Sequence, residues 1–228
     1  MAVFLLALTA GAGPGLFWLW WFYHLDRYEP EPRRLVLRTA LFGAVAGVVA
    51  ALLELPFAGW GVFLAVVLAP VIEEYSKFTV VRRTVYNDPE FDESMDGLVY
   101  AAAAALGFAS LENIFYVVSA YTKAGSSAAV STFWFRALLS VPAHALFSAQ
   151  WGAALGKAKF EPPELRAGII RRGLLTAMIG HGLWNAICMI HGASGPVLAV
   201  LTLVLWSTTN RHARELLSRS PYRSGGPA

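Results

Sequence analysis

The feature that most narrows the fold of this chain is the spacing of its apolar stretches. Seven runs follow one another with only short polar connections between them. A helix needs about 20 largely apolar residues to cross about 30 Å of hydrocarbon. On that ruler the runs at 2–23, 35–54, 60–81, 95–120, 127–156, 168–191 and 194–209 are read as spans. Hydrophobic residues make up 57% of the 228 and charged residues 14%, an apolar share above that of soluble domains. The expectation is therefore an all-α protein, a polytopic transmembrane bundle of about seven helices, or eight. It forms a single integral membrane domain over 1–228 with a short basic cytoplasmic tail at 211–228. The fifth run is long and holds Pro142, which predicts a kink or a partly interfacial course.

Basic residues fall on alternate connections. Arg27, Arg33, Arg34 and Arg38 flank the first; Lys77, Arg82 and Arg83 the third; Lys157, Lys159, Arg166, Arg171 and Arg172 the fifth; Arg211, Arg214, Arg219 and Arg223 the tail. The positive-inside rule then orients the bundle N-outside and C-inside. Charge clustered this way suits lipid headgroups and not nucleic acid. The Ala10-Gly11-Ala12 stretch imitates a signal cleavage site, but no basic segment precedes it and apolar residues resume after Gly15, so the first run is read as retained. Cys188 is the sole cysteine, so no intrachain disulfide forms. "GAVAG" at 43–47 and "GAALG" at 152–156 read as close helix-packing motifs.

Against this apolar background five polar groups stand out: Glu73 and Glu74 in "APVIEEYSKF", Glu112 in "GFASLENIFY", His144 in "PAHALFS" and His181 in "GHGLWNA". A charged group at mid-bilayer costs about 2.5–3.5 kcal/mol on insertion scales, so such groups mark function by default. Adjacent helical residues point about 100° apart while those three or four apart share a face. Glu73 and Glu74 therefore aim at different targets, with Lys77 in reach of both. His181 shares a face with Asn185, and His144 with Ser148. Structural readings stand beside these: an edge anchor for the Glu pair, and interhelical hydrogen bonds for Glu112, for His144, and for His181 with Asn185. Asn113 either orients Glu112 or packs. Arg136, within the fifth run, is expected to meet Glu54 or Glu112, Asp96 to cap the fourth helix, and "EPEP" and "NDPEFDES" to form solvated turns.

Hydrolysis of an amide needs a carboxylate to take a proton from water, a second group to orient that water, and donors for the oxyanion. Glu73 suits the first role, and His181 with Asn185 the last. The motifs "DRYEPEP" (26–32), "EEYSK" (73–77), "DGLVYAAAAALGFASLEN" (96–113), "PAHALFS" and "HGLWN" (181–185), in this order, resemble those of the PrsW-type intramembrane proteases. That family lies within the wider group of CAAX prenyl endopeptidases and bacteriocin-processing enzymes. The resemblance implies a glutamic-type, metal-independent peptidase with no cofactor, in which Glu73 activates water, Glu74 supports it, and His181 with Asn185 binds the oxyanion. Glu112 and His144 complete the pocket, with Lys77 and Asn113 in support. In the CAAX endopeptidases the second motif ends in His where this chain has Glu112. The resemblance further implies a multi-pass protein of a bacterial inner membrane, acting on a membrane-anchored protein substrate such as an anti-sigma factor in envelope-stress signalling.

Two other classes stay open. Carboxylates and imidazoles also bind Zn, although the chain has no HExxH, and acidic and His groups within helices also form the relays of proton-coupled transporters. A structural membrane partner is a third reading.

Overall fold

The computed structural model describes residues 2–190 and 194–223. The described residues fold as helices: α1 (Ala2–Tyr23), α2 (Arg33–Glu54), α3 (Ala69–Thr84), α4 (Asp96–Phe135), α5 (Val141–Lys159), α6 (Pro163–Cys188) and α7 (Ser194–Ser218). A 3-10 turn, Leu55–Trp60, follows α2, and π-helical turns lead into α3 (Leu64–Leu68) and α5 (Arg136–Ser140). Residue 191, which ends the sixth expected span, and residues 224–228 of the tail lie outside the described residues.

α4 occupies the middle of the bundle and packs on α1, α2, α3 and α5. Its start explains why: Ala101 to Ala105 form a fully buried alanine run. Alanine is the best helix former and adds little bulk, so neighbouring backbones come close. A Cβ on Gly43 of α2 would run into the carbonyl of Ala104, whereas one on Gly47 would meet its nearest atom at an ordinary 3.5 Å. In the other glycine motif, Gly152 lies against Gly97 and Gly156 against Ser94. "GAALG" is thus a contact at both glycines and "GAVAG" at one.

At Gly125 φ is +82°, the only non-helical residue inside α4. The chain reverses there. In a straight helix residues 112 and 136 would stand about 36 Å apart at 1.5 Å per residue, yet Arg136 Nη2 lies 2.8 Å from Glu112 Oε2. The 64 residues Asp96–Lys159, among the described residues one of two stretches long and apolar enough to cross a membrane, therefore traverse the bundle twice; the other stretch is Arg33–Trp60. The remaining spans and the N-outside orientation rest on the sequence pattern.

Polarity is inverted relative to a soluble protein. Leu41 is 70% exposed and Ile179 68%, with Leu203 and Val200 similarly open, while Lys77 is 0% exposed and Glu74, Arg136, His144 and His181 are buried. Water would penalise that surface and hydrocarbon does not.

The π turns have a local cause. In each, the N–H five residues on closes the bond, Ala69 N to Leu64 O and Val141 N to Arg136 O. The next bond in that register would come from Pro70 or Pro142, which have no N–H, and so the carbonyls of Ala65 and Ala137 are orphaned. A distant side chain caps each: Asn185 Nδ2 donates to Ala65 O at 2.9 Å, and Trp18 Nε1 to Ala137 O at 3.0 Å. Pro142 thus brings a local widening within a continuous helix.

Two expectations about the connections change. Glu31 and Glu93 are buried while Pro30, Asn87, Pro89 and Asp92 are exposed, so "EPEP" and "NDPEFDES" are solvated only in part; the loops fold onto each other and onto the C-terminal segment, where Tyr222 donates to Asp92 Oδ2 at 2.5 Å. Asp96 does not cap α4 by its side chain; its Oδ2 accepts the N–H of Glu93, which precedes the helix.

Candidate active site

The widened turns set the directions of the side chains that follow them. Glu73 and Glu74 come three and four residues after Pro70, and His144 two after Pro142, so each leaves a helix whose last turn has been re-registered. His181 comes from α6, where Phe147 stacks on it at 4.8 Å between centroids and an interplanar angle of 15°.

The adjacent carboxylates divide as their helical positions imply. Glu74 faces inward and is saturated: Oε1 receives Lys77 Nζ at 2.8 Å and His181 Nδ1 at 3.1 Å, and Oε2 receives Ser148 Oγ at 2.7 Å and Trp151 Nε1 at 3.0 Å. Glu73 borders a cavity of about 700 Å³. Its Oε2 lies 3.4 Å from Lys77 Nζ and 3.9 Å from both His144 Nδ1 and His181 Nε2. Lys77 reaches both carboxylates, and its ammonium also sits 4.2 Å from the Phe108 ring centroid.

The hydrogen-bond network fixes the imidazole tautomers. An ammonium only donates, so His144 Nδ1, 3.0 Å from Lys77 Nζ, is an acceptor and Nε2–H donates to Glu112 Oε2 at 3.0 Å. In His181, Nδ1–H donates to Glu74 Oε1 at 3.1 Å, and Nε2 lies 3.9 Å from Glu73 Oε2. Each imidazole thus holds a carboxylate at its far nitrogen and brings the other to 3.9 Å from Glu73 Oε2, that of His144 while accepting from Lys77. The ligand atoms of Glu73, His144 and His181 lie within 4.8 Å of one another. Two imidazoles and one carboxylate, each imidazole backed by a second carboxylate, form a donor set that fits a divalent cation. With neutral imidazoles the three carboxylates outnumber Lys77 and Arg136 by one charge, so further positive charge is accommodated.

Arg136 holds Glu112 at 2.8 Å as anticipated, and its Nε donates to Asn113 Oδ1 at 3.0 Å. Asn113 therefore anchors Arg136, and its own Nδ2 donates to Gly11 O at 3.3 Å. Asn185 lines the cavity with one N–H committed to Ala65 O. Every sequence-selected residue falls in this assembly. Ser148, Trp151 and Trp18 were missed as site residues. Ser148 was visible only as sharing a face with His144, and the prolines signal the π turn that Trp18 caps without naming the cap.

The cavity rim includes Glu54, Gly61, Cys188 and Met189, at the end of the bundle opposite the 24–32 and 85–95 loops.

A family model described as PrsW family intramembrane metalloprotease matches residues 31–209. The chain is 35% identical over 213 residues to Protease PrsW of Geobacillus kaustophilus (strain HTA426), covering 91% of each chain. It is 35% identical over 185 residues to Protease PrsW of Bacillus subtilis (strain 168), covering 79% of this chain and 81% of that one. With Protease PrsW of Clostridioides difficile (strain 630) the identity is 29% over 214 residues, covering 90% and 87%. No solved structure matches.

Proposed function

The chain belongs to the PrsW family of intramembrane proteases, and from that premise we propose that it hydrolyses a peptide bond of a membrane-anchored protein at the Glu73–His144–His181 centre. One observation carries the reading: three acceptors on three helices converge on one point at the edge of a cavity. A peptide bond entering from the rim meets Glu73 before any other carboxylate of the pair.

The donor set favours a version in which Glu73, His144 and His181 hold a divalent cation, as the family's description implies. A bound cation supplies Lewis acidity for the carbonyl and acidity for a water. The chain's own groups then hold the ligands: Glu112, clamped by Arg136, fixes the His144 ring, and Glu74, clamped by Lys77, Ser148 and Trp151, fixes that of His181. The metal-free, glutamic version rests on a different observation, that Lys77 Nζ already occupies the His144 Nδ1 lone pair at 3.0 Å. There Glu73 takes the proton of a water, with the Lys77 ammonium 3.4 Å from its carboxylate. In either version the second N–H of Asn185, beside the one given to Ala65 O, is a donor for the oxyanion at the cavity wall next to His181.

The rim belongs to the bundle end that the charge pattern puts outside. That agrees with first cleavage of an anti-sigma factor or similar membrane-bound regulator on the outer side of a bacterial inner membrane, by a multi-pass enzyme. A proton-coupled transporter has less support, because the acidic and imidazole groups gather at one pocket and do not string across the bundle.

Cleavage of a single-pass peptide by protein purified in detergent tests the proposal, with Glu73→Gln and His181→Ala for comparison. The expected result is cleavage by the unmodified chain alone, lost on chelation with 1,10-phenanthroline and restored by Zn²⁺, with one zinc per chain by elemental analysis. Full activity in metal-free protein selects the glutamic version. Ion flux in proteoliposomes without cleavage would return the transporter reading.

A further inference from the structure

The segments "DRYEPEP" and "NDPEFDES" take no part in the intramembrane centre and lie at the opposite end of the bundle. There Asp26, Glu31, Glu93 and Asp96 are all buried, Glu93 to 1% exposure. Carboxylate oxygens of Asp26, Glu93 and Asp96 lie within 4.8 Å of one another. One oxygen of three carboxylates is held by the protein: Asp26 Oδ1 accepts the N–H groups of Tyr28 and Glu29 at 3.3 and 3.5 Å, Asp96 Oδ2 that of Glu93 at 2.8 Å, and Glu31 Oε2 the hydroxyl of Tyr100 at 2.5 Å. Five others have no partner that meets hydrogen-bonding geometry: Asp26 Oδ2, Glu31 Oε1, both oxygens of Glu93 and Asp96 Oδ1.

A buried carboxylate oxygen without a donor is costly, and here several share one pocket. The ammonium of Lys159 packs on the same loop but is engaged elsewhere, by Tyr86 O at 2.7 Å and by Phe91 O. Burial pushes the carboxyls up, Asp26 to about 6, Glu93 to about 7 and Glu31 to about 10. The neighbouring acids Glu29, Asp26 and Asp96, respectively, add to that rise, and a Ser220 hydroxyl beside Glu93 offsets part of its share.

We propose that Asp26, Glu93 and Asp96, with Glu31 beside them, bind a hard divalent cation that ties the α1–α2 loop to the α3–α4 loop and the first turn of α4. The set is all carboxylate, with no thiol or imidazole, which selects Ca²⁺, Mg²⁺ or Mn²⁺ over softer ions. Ligation favours Ca²⁺, which takes about 6–8 oxygens in flexible geometry, whereas Mg²⁺ demands a near-ideal octahedron and keeps several of its waters. The site is separate from the proteolytic centre, and its test does not depend on that reading. A proton shared between Glu31 and Asp96 is the competing way to relieve the charge.

The test uses the full chain in neutral, lipid-free detergent, stripped with EDTA and dialysed, then titrated with Ca²⁺, Mg²⁺ or Mn²⁺ while thermal unfolding is followed. At a hundredfold excess over Kd, Ca²⁺ raises Tm by roughly 5–10 °C. Glu73→Gln keeps that response. The double variant Asp26→Asn, Glu93→Gln loses it and, relieved of repulsion, melts above the cation-free parent. No shift with any of the three ions overturns the proposal, as does an undiminished shift in the double variant. Should the double variant fail to fold, Tb³⁺ luminescence decides: one saturable ion per chain, displaced by Ca²⁺ in both the parent and Glu73→Gln, supports the site, and its absence refutes it.

Discussion

Glu74→Gln and Glu73→Gln change neighbouring residues by the same single atom, yet the structure separates their consequences. Every group around Glu74 is a donor: the Lys77 ammonium, the His181 Nδ1–H, the Trp151 indole and the Ser148 hydroxyl. A Gln amide nitrogen would face Lys77 and His181 on one side or the Trp151 N–H on the other, with only the Ser148 hydroxyl able to accept, and Lys77, fully buried, loses the charge of its 2.8 Å partner. Breaking a buried ion pair from one side costs about 3–5 kcal/mol. For a chain of this size about 1 kcal/mol moves Tm by roughly 2–4 °C, so Glu74→Gln should melt roughly 6–20 °C lower. Lys77 would also close on Glu73, now its remaining carboxylate at 3.4 Å, and quench it. Glu73→Gln gives up only that longer contact and faces the cavity, so it should stay within about 1 kcal/mol of the parent while losing cleavage. Thermal unfolding beside a peptide-cleavage assay reads both. Equal destabilisation by the two variants, or a Glu74→Gln protein that is stable and active, would refute the division of roles.

Further outcomes follow from the same geometry. Trp18→Phe uncaps the Ala137 carbonyl and should cost roughly 1–3 kcal/mol, with reduced kcat/KM because the turn before His144 loosens; a melting curve beside the cleavage assay checks it. Asn185→Ala uncaps Ala65 and should lower Tm as well as activity, whereas a role confined to the oxyanion would leave Tm unmoved. Arg136→Ala strands Glu112 and should lower both stability and cleavage, with partial recovery in Arg136→Lys. Gly43→Ala should destabilise by roughly 1–3 kcal/mol through overpacking while Gly47→Ala stays near neutral, a contrast that thermal unfolding reads directly.

Much of the site was legible because charge in an apolar span is costly enough to signal itself. Glu73, Glu112, His144 and His181 stand out by that cost, which also narrows the partner of Arg136 to Glu54 or Glu112, and Glu112 is the one it meets. The separation of Glu73 from Glu74 followed from helical phase. What the sequence hid depends on contacts between distant segments. Trp18 is one of eight tryptophans in an apolar chain, and nothing local distinguishes it from a lipid-facing or interfacial ring. Its role exists only because Pro142 shifts a register 119 residues away from the Ala137 contact's other end. Asn185 was read as facing a substrate because its spacing from His181 was visible and the orphaned Ala65 carbonyl was not. Pro, Asn, Asp and Ser in the acidic loops favour turns, and a local reading sees no more than that. Their burial comes from packing against one another and against the C-terminal segment, which no local pattern encodes. The metal-free expectation came from the resemblance. The approach of one nitrogen of each ring to Glu73 emerges only once Glu74 and Glu112 are seen behind the rings.

The most direct measurement is the kcat/KM of reconstituted protein on a single-pass peptide, for the parent chain and for Glu73→Gln at matched Tm. The arrangement predicts a loss of at least about a hundredfold, the scale of one acid–base group, with folding intact. Undiminished cleavage by a normally folded Glu73→Gln protein would mean that the bond is broken elsewhere.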